Sequence, residues 1–509
     1  MKLAELIRDL GEYEILQGET DLEIKGVVYD SRRVEPGFLF VAVKGSELDG
    51  HAFLEDAAGR GAAALVVEDV DGFKRGATLI RVPGSREAMA RIAAAFYGYP
   101  YEGIEIVGIT GTNGKTSTSY ILESILKASG ARPGVIGTIN YRYDRVSRPA
   151  PVTTPESLEL MAVIREMADN GVTHVVMEVS SHALDQGRVR ACPISVPVFT
   201  NFSRDHLDYH GDMEGYFQAK TRLFKGPEHG GFSGTGPAVV NADDPRGRRT
   251  ASLCRRRVLS YGLDSPAQVT LQDLSMDRDG IRGTLVSPRG TCGLRSALIG
   301  RINAYNILAA STAALALGIE PGAVCRGVEE LQLIPGRLER VRNRKGLSIF
   351  VDYAHTPDAL HKALETLRPL VVGRLITVFG CGGDRDKGKR PEMGHTAGRL
   401  SDLVVVTTDN PRREDPLEII RQIEEGVRAA GLRLMGDENP VEPSSKGYIV
   451  EPDRRKAIVK AVRAAGTQDL ILIAGKGHED YQIVGTDKRH FDDREEAAVA
   501  AEAPLGGDA

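Results

Sequence analysis

A chain of 509 residues is long enough for about three domains with full hydrophobic cores, and 41% apolar with 27% charged residues is ordinary for a globular protein. The 65 basic and 70 acidic residues leave a net charge of -5, which argues against a nucleic-acid partner, and no apolar run reaches the roughly 18 residues of a membrane helix. Cys192, Cys254, Cys292, Cys325 and Cys381 are odd in number and lack C-x-x-C spacing, as expected of reduced thiols in a cytoplasm.

Residues 1–10 are interrupted by charges and predict a short amphipathic helix rather than a signal peptide. Two β-like runs follow at 26–29 and 38–43, and an alanine-rich helix is closed by Gly98-Tyr99-Pro100. From about residue 101 strands and helices alternate. The apolar run 104–110 leads into Gly111-Thr112-Asn113-Gly114-Lys115-Thr116-Ser117, and a helix through Ile121, Leu122, Ile125 and Leu126 runs to a capping Gly130. Strand, glycine-rich loop and helix in that order make a phosphate-binding loop. Its glycines let backbone N–H groups turn toward phosphate oxygens, Lys115 can reach the β/γ-phosphates, and the Thr116 hydroxyl can ligate Mg²⁺. The loop is the shorter form of the general G-x-x-x-x-G-K-[ST] pattern, because Ile109 stands where the first glycine would be. A helix over Leu158, Met161, Ile164 and Met167 comes next, then strands at 173–179 and 196–200. Alternation resumes after about residue 337 with strands at 348–351, 375–379, 403–406 and 470–473. Such βαβ order predicts an α/β protein with mainly parallel sheets. Three domains are expected. Residues 1–98 form a smaller α/β domain, 99–336 a central phosphate-loop domain, and 337–509 a Rossmann-like α/β domain.

Residues just past the carboxyl ends of parallel strands carry most weight, because ligands gather there. Glu178 could hold the Mg²⁺ that Thr116 also touches; an ion pair at the strand end is the alternative. Ser181-His182 hints at nucleophilic catalysis, but neighbours on an extended strand face opposite sides and no G-x-S-x-G elbow exists, so a hydrolase triad is rejected. His206 and His210 imitate zinc spacing, yet Leu207 stands where H-E-x-x-H requires Glu. By its own sequence Lys220 reads as a surface lysine, and 409–412 as a surface turn. The run at Gly380 fails the G-x-G-x-x-G template at Arg385, which removes the main argument for NAD.

The loop at 111–117 resembles that of the Mur ligase family, ATP-dependent amide-bond synthetases of peptidoglycan precursor assembly, and the resemblance covers nearly the whole chain. It implies that ATP is held by Gly111, Thr112, Asn113, Gly114, Lys115, Thr116 and Ser117, with Asn303 on the adenine, Arg337 at a hinge and Asp352 on the ribose. ATP would then lie between two domains whose closure excludes water. The stretch Asp205-His206-Leu207-Asp208, followed by Tyr216-Phe217-Gln218-Ala219-Lys220, resembles the segment in which a histidine binds a second Mg²⁺ and a lysine is carbamoylated by CO₂. Lys115, Glu178, His206 and Lys220 are therefore the expected catalytic set, with Thr116, Glu178, His206 and Lys220 around the metal. Asp30-Ser31-Arg32 and 44–51, which includes Ser46, look like a uridine-nucleotide pocket; Thr153, Thr154, Ser180, Gln186 and Arg188 match the positions that hold a UDP-muramoyl dipeptide.

Asp409-Asn410-Pro411-Arg412 resembles the branch of the family that adds meso-diaminopimelate, with Arg385, Gly475 and Glu479 as further amino-acid contacts. A guanidinium suits the carboxylate by which diaminopimelate differs from lysine. The resemblance thus implies an acyl-phosphate route to an amide in a cytoplasmic, monomeric enzyme with small-molecule substrates. Rival readings are a lysine-adding ligase, a D-Ala-D-Ala-adding ligase, a folylpolyglutamate synthetase, or a nucleotide-switched binding protein. The switch is disfavoured because no Asn-Lys dipeptide, the start of a guanine-reading Asn-Lys-x-Asp element, occurs.

Overall fold

The computed structural model describes residues 1–45, 48–69, 73, 76–226, 236–435 and 446–503. Ser46, expected in the uridine pocket, lies outside them. Contacts divide the chain into two compact units, the first comprising Met1–Leu271, Leu285–Cys292 and Asn306–Gly327, the second Gln272–Thr284, Gly293–Tyr305 and Val328–Ala509.

The first unit holds two sheets. A five-stranded sheet runs in the spatial order Glu14–Gln17, Thr78–Arg81, Ala64–Val67, Phe38–Val41, Gly26–Val28, parallel except for its outer first strand. An eight-stranded sheet runs Val258–Tyr261, Ala238–Asn241, Val196–Phe199, Glu105–Thr110, His174–Glu178, Pro133–Ile136, Asn140–Tyr143, Val146–Pro149. Its first six strands are parallel, and the last two form an antiparallel extension. The strand Val196–Phe199 is buried along its whole length, as are residues 106–110, because helices cover both faces of a parallel sheet. The central strand Glu105–Thr110 pairs with His174–Glu178 on one side and Val196–Phe199 on the other, so three strand ends converge where the phosphate loop begins.

The short N-terminal helix expected from sequence forms as one turn, Leu3–Leu6, with Leu3 and Leu6 buried, and Gly11 turns the chain at φ +81°. One reading from sequence is corrected. Ser181 and His182 are not on an extended strand: Ser180 accepts from Ala183 N and caps the helix Ser181–Asp185, whose short length gave no periodicity to read.

In the second unit a six-stranded sheet runs Glu339–Arg340, Ser348–Asp352, Leu470–Ala474, Leu375–Phe379, Leu403–Val406, Gly447–Val450, parallel except for the outermost first pair. Separate apolar clusters pack its two faces, one around Leu360, Leu364, Ile423 and Val427, the other around Ile458, Ala461 and Ala497. Proline starts the helices Pro357–Leu367 and Pro416–Ala429 where its missing N–H costs nothing, behind the capping side chains of Thr356 and Asp415. A hairpin of Tyr481–Val484 and Asp487–His490 follows the last strand of the sheet in sequence.

One ion pair ties this unit together. Arg454 and Asp493 open the helices Arg454–Ala464 and Asp493–Glu502, their side chains are wholly buried, and the pair is bidentate at 2.7 Å for both bonds. The same guanidinium donates to Thr408 O at 3.2 Å and Ala474 O at 2.9 Å. It therefore pins the two strand ends that precede Asp409 and Gly475. Removing one partner of such a pair leaves an uncompensated buried charge, which costs about 3–5 kcal/mol. Asp493→Ala should lower unfolding stability by that amount in a denaturant titration; a loss below about 1 kcal/mol would show the guanidinium is satisfied by the carbonyls alone.

Candidate active site

The phosphate loop forms as its sequence requires. Gly111 has φ +146° and sits so close to the next strand end that a Cβ would meet Thr200 Oγ1 at 1.9 Å, and Gly114 turns at φ +84° into the helix Lys115–Ala128. The neighbouring strand end clamps the loop. Asn113 N donates to Asn201 Oδ1 at 3.0 Å, while Thr200 Oγ1 and Asn201 Nδ2 both donate to Asn113 O, at 2.7 and 3.0 Å. Thr112 Oγ1 accepts from Ser203 N at 3.0 Å, Lys115 Nζ donates to Gly111 O and Thr112 O, and Thr116 and Ser117 are buried in the first helical turn.

Glu178 ends the strand beside the loop and is 1% exposed. Its Oε2 accepts from Thr116 Oγ1 at 3.0 Å and Thr138 Oγ1 at 2.9 Å, and its Oε1 accepts from Thr138 N at 3.0 Å. Thr138 also lies 3.1 Å, oxygen to oxygen, from Thr153. Sequence reasoning missed Thr138; its signal was a threonine two residues past the apolar strand Pro133–Ile136, next in register to the strand of Glu178.

Lys220 is 1% exposed on the helix Met213–Thr221, donates to Gly111 O at 2.8 Å and stands 4.5 Å above the Tyr216 ring. Burial first, then the charge of Lys115, push its ammonium well below the usual lysine range, and Asp205 opposes them weakly. The surface reading of this lysine is therefore wrong. His206 adopts left-handed backbone at φ +52°, its ring edge-on to His182 at 4.8 Å and to Tyr216 at 5.9 Å. Desolvation holds it down to about 4, against Asp205, so the imidazole is neutral, its ligating form. His210 Nε2 lies 3.0 Å from Ser181 Oγ. No zinc-like cluster occurs among the described residues.

The dipeptide positions also converge. Thr154 Oγ1 donates to Glu178 O at 2.8 Å and accepts from Ser180 N at 3.1 Å; Arg188 donates to Thr154 O and twice to Gln186 Oε1 and pairs with Glu156 at 3.0 Å. Ser31 is buried in the short helix Ser31–Arg33 of the same unit.

The second unit holds the other expected residues. Asp352 ends its strand and accepts from Leu338 N at 2.8 Å and Ala354 N at 2.9 Å; the Arg337 guanidinium lies 4.8 Å from the Tyr353 ring, and buried Asn303 donates to Ile299 O. Asp409, Asn410, Pro411 and Arg412 follow the strand Leu403–Val406. Asn410 Nδ2 donates to Glu479 Oε2 at 3.2 Å, Arg412 NH1 donates to Gly383 O at 2.7 Å, and the Arg385 side chain borders the same Gly382 segment as Arg412. Burial, then Asp409, raise the Glu479 carboxyl, with Lys476 opposing. Gly475, at φ +120°, lets the chain turn between Asp409 and Arg454.

A phosphate loop backed by a hydroxyl–carboxylate pair and a buried lysine, at the strand ends of a mainly parallel sheet, is the site of a nucleotide-using enzyme, and the family matches make it an ATP-dependent ligase. The chain belongs to the Mur ligase family: models described as the family's catalytic domain, middle domain and glutamate ligase domain match residues 23–97, 109–314 and 336–477. A UDP-N-acetylmuramoyl-L-alanyl-D-glutamate--2,6-diaminopimelate ligase of Geobacter metallireducens is 51% identical over 98% of both chains, and one of Geobacter sulfurreducens is 48% identical over the full length of both. A solved structure of an enzyme with the same name matches with a TM-score of 0.70 at 33% identity, covering 98% of each chain.

Were Glu178 to ligate Mg²⁺, Thr138 would be its outer partner, and because such partners typically matter about 10–100-fold, Thr138→Val would raise the Mg²⁺ concentration for half-maximal turnover by about tenfold. An unchanged Mg²⁺ dependence in a folded variant would remove Thr138 from the site.

Proposed function

We propose that this chain joins meso-diaminopimelate to UDP-N-acetylmuramoyl-L-alanyl-D-glutamate in peptidoglycan precursor synthesis. ATP phosphorylates the D-glutamate γ-carboxylate, and the amine attacks the acyl phosphate to give amide, ADP and phosphate. The observation that carries the nucleotide chemistry is the Thr116–Glu178–Thr138 network at the mouth of the phosphate loop. Hydroxyl and carboxylate oxygens suit a hard cation, so Thr116 and Glu178 would hold one Mg²⁺, and His206 with Lys220 a second. The ions, when bound, offset phosphoryl charge. Lys115 adds a fixed positive charge and the loop N–H groups orient the phosphates, so positioning and electrostatics supply most of the catalysis. Asn303, Arg337 and Asp352 contact the nucleoside, and Thr153, Thr154, Ser180, Gln186 and Arg188, with Ser31, hold the nucleotide-linked dipeptide. The enzyme acts as a cytoplasmic monomer, with domain boundaries near residues 98 and 336.

Lys220 carries a carbamate. Its depressed pKa supplies the neutral amine; the nitrogen lone pair bonds to the carbon of CO₂, a C=O pair moves onto oxygen, and one proton leaves. The product turns a cation that cannot ligate Mg²⁺ into an oxygen anion that can. Lys220→Ala should be nearly inactive and regain turnover when short carboxylates are added; a variant that is fully active without them would exclude the carbamate.

Arg412 and Asn410 select the amino acid. Losing the guanidinium leaves the distal carboxylate of diaminopimelate desolvated and unpaired, roughly 3–5 kcal/mol in a closed pocket, or about 10²–10³ in kcat/KM. Lysine lacks that carboxylate. Phosphate release by wild type and Arg412→Ala with diaminopimelate or L-lysine decides the matter: diaminopimelate use should collapse and lysine use change little. Equal loss for both would make Arg412 a general structural residue, and better use of lysine by wild type would establish the lysine-adding reading.

A further inference from the structure

One buried cation of the second unit has no role in the chemistry above. Lys476, between Gly475 and Glu479, has a fully buried side chain, and its ammonium meets three oxygens: Asn410 Oδ1 at 2.9 Å, Tyr481 O at 2.8 Å and Asp409 Oδ1 at 3.2 Å. Two of these contacts are hydrogen bonds, to Asn410 and Tyr481, and the third is an ion pair with Asp409.

The consequence falls on Asn410. Its Oδ1 also accepts from Ile483 N at 3.0 Å, so a flipped amide would set its NH₂ against an ammonium and a backbone N–H at once. Only one orientation survives, and it turns Nδ2 outward to Glu479. The strand Tyr481–Val484 that supplies Ile483 holds the rest of the turn as well. Arg412 N donates to Ile483 O at 3.1 Å, Gly485 N to Arg412 O at 2.7 Å, and Gln482 Nε2 to Asp409 O at 2.7 Å. Arg412 is held at φ +53°, a conformation rare for a residue with a side chain, so the turn needs such external bonds to persist.

We propose that Lys476 is a positioning residue for amino-acid recognition: by occupying the Asn410 acceptor it presents the Asn410 amide N–H, together with the Glu479 carboxylate, to the incoming amino acid. The proposal rests on the reading that residues 409–412 form the diaminopimelate site. It assigns Lys476 to the choice of amino acid rather than to ATP or the dipeptide nucleotide.

The test is steady-state phosphate release with each substrate varied in turn, for wild type, Lys476→Met, Lys476→Gln and the charge-balanced Lys476→Met/Asp409→Asn. Hydrogen bonds to charged groups are strong enough for KM toward diaminopimelate to rise at least about tenfold in Lys476→Met and in the double variant. KM for ATP and for the UDP-muramoyl dipeptide should stay within about twofold, and Lys476→Gln, which keeps an N–H donor, should recover part of the loss. An unchanged KM for diaminopimelate in folded variants overturns the proposal. So does a parallel rise in all three KM values with a fall in Tm, or failure of every variant to fold, since either makes Lys476 a scaffold residue only. Wild type that releases no phosphate with diaminopimelate fails the underlying reading instead.

Discussion

A carboxylate taken out of water must be met by donors, and the burial of Glu178 sets much of the geometry of the first unit. Its two oxygens receive three hydrogen bonds, from Thr116 on the phosphate-loop helix and from Thr138 at the adjoining strand end. Helix, loop and strand therefore cannot shift independently without orphaning it. Its own carbonyl extends the constraint through Thr154 to Ser180, and Thr138 extends it to Thr153. Thr116, Thr138, Thr153, Thr154, Glu178 and Ser180 are thus one hydrogen-bonded network. That rigidity is what phosphoryl transfer requires, because the protein contributes placement of charge more than covalent chemistry.

Lys220 and Lys476 show how local partners decide what a buried lysine does. Lys220 meets a carbonyl oxygen and an aromatic face, with a second lysine nearby, and its ammonium is disfavoured. Burial lowers the pKa of Lys476 as well, but Asp409 opposes that penalty at 3.2 Å, and the hydrogen bonds of Lys476 to Asn410 and Tyr481 fix a turn.

Part of the backbone strain falls at expected site residues. Seven described residues other than glycine have positive φ; four of them, His206, Leu338, Asp384 and Arg412, are expected site residues or adjoin one, while Tyr99, Asp144 and Asp273 are not expected site residues. Such backbone costs of order 1–3 kcal/mol per residue and persists when neighbouring contacts over-determine it. At Arg412 those contacts are the bonds to Ile483 and Gly485; at His206 the ring packs among His182 and Tyr216.

The sequence by itself determined the local order of strand, glycine loop and helix at 105–128, the parallel α/β class, and, through the family resemblance, the residues of each expected subsite. These are legible because they depend on periodicity, on glycine at left-handed positions, and on motifs contiguous in the chain. The helix start at Ser181 was not, since so few residues carry no period. Only the tertiary structure buried Lys220, which by composition belonged at the surface, and brought Thr138 onto Glu178 across 40 residues and Lys476 onto Asn410 across 66. Burial and pairing are set by which strand ends lie side by side in the sheet. That order is a property of the whole packed chain, and no local stretch of residues encodes it.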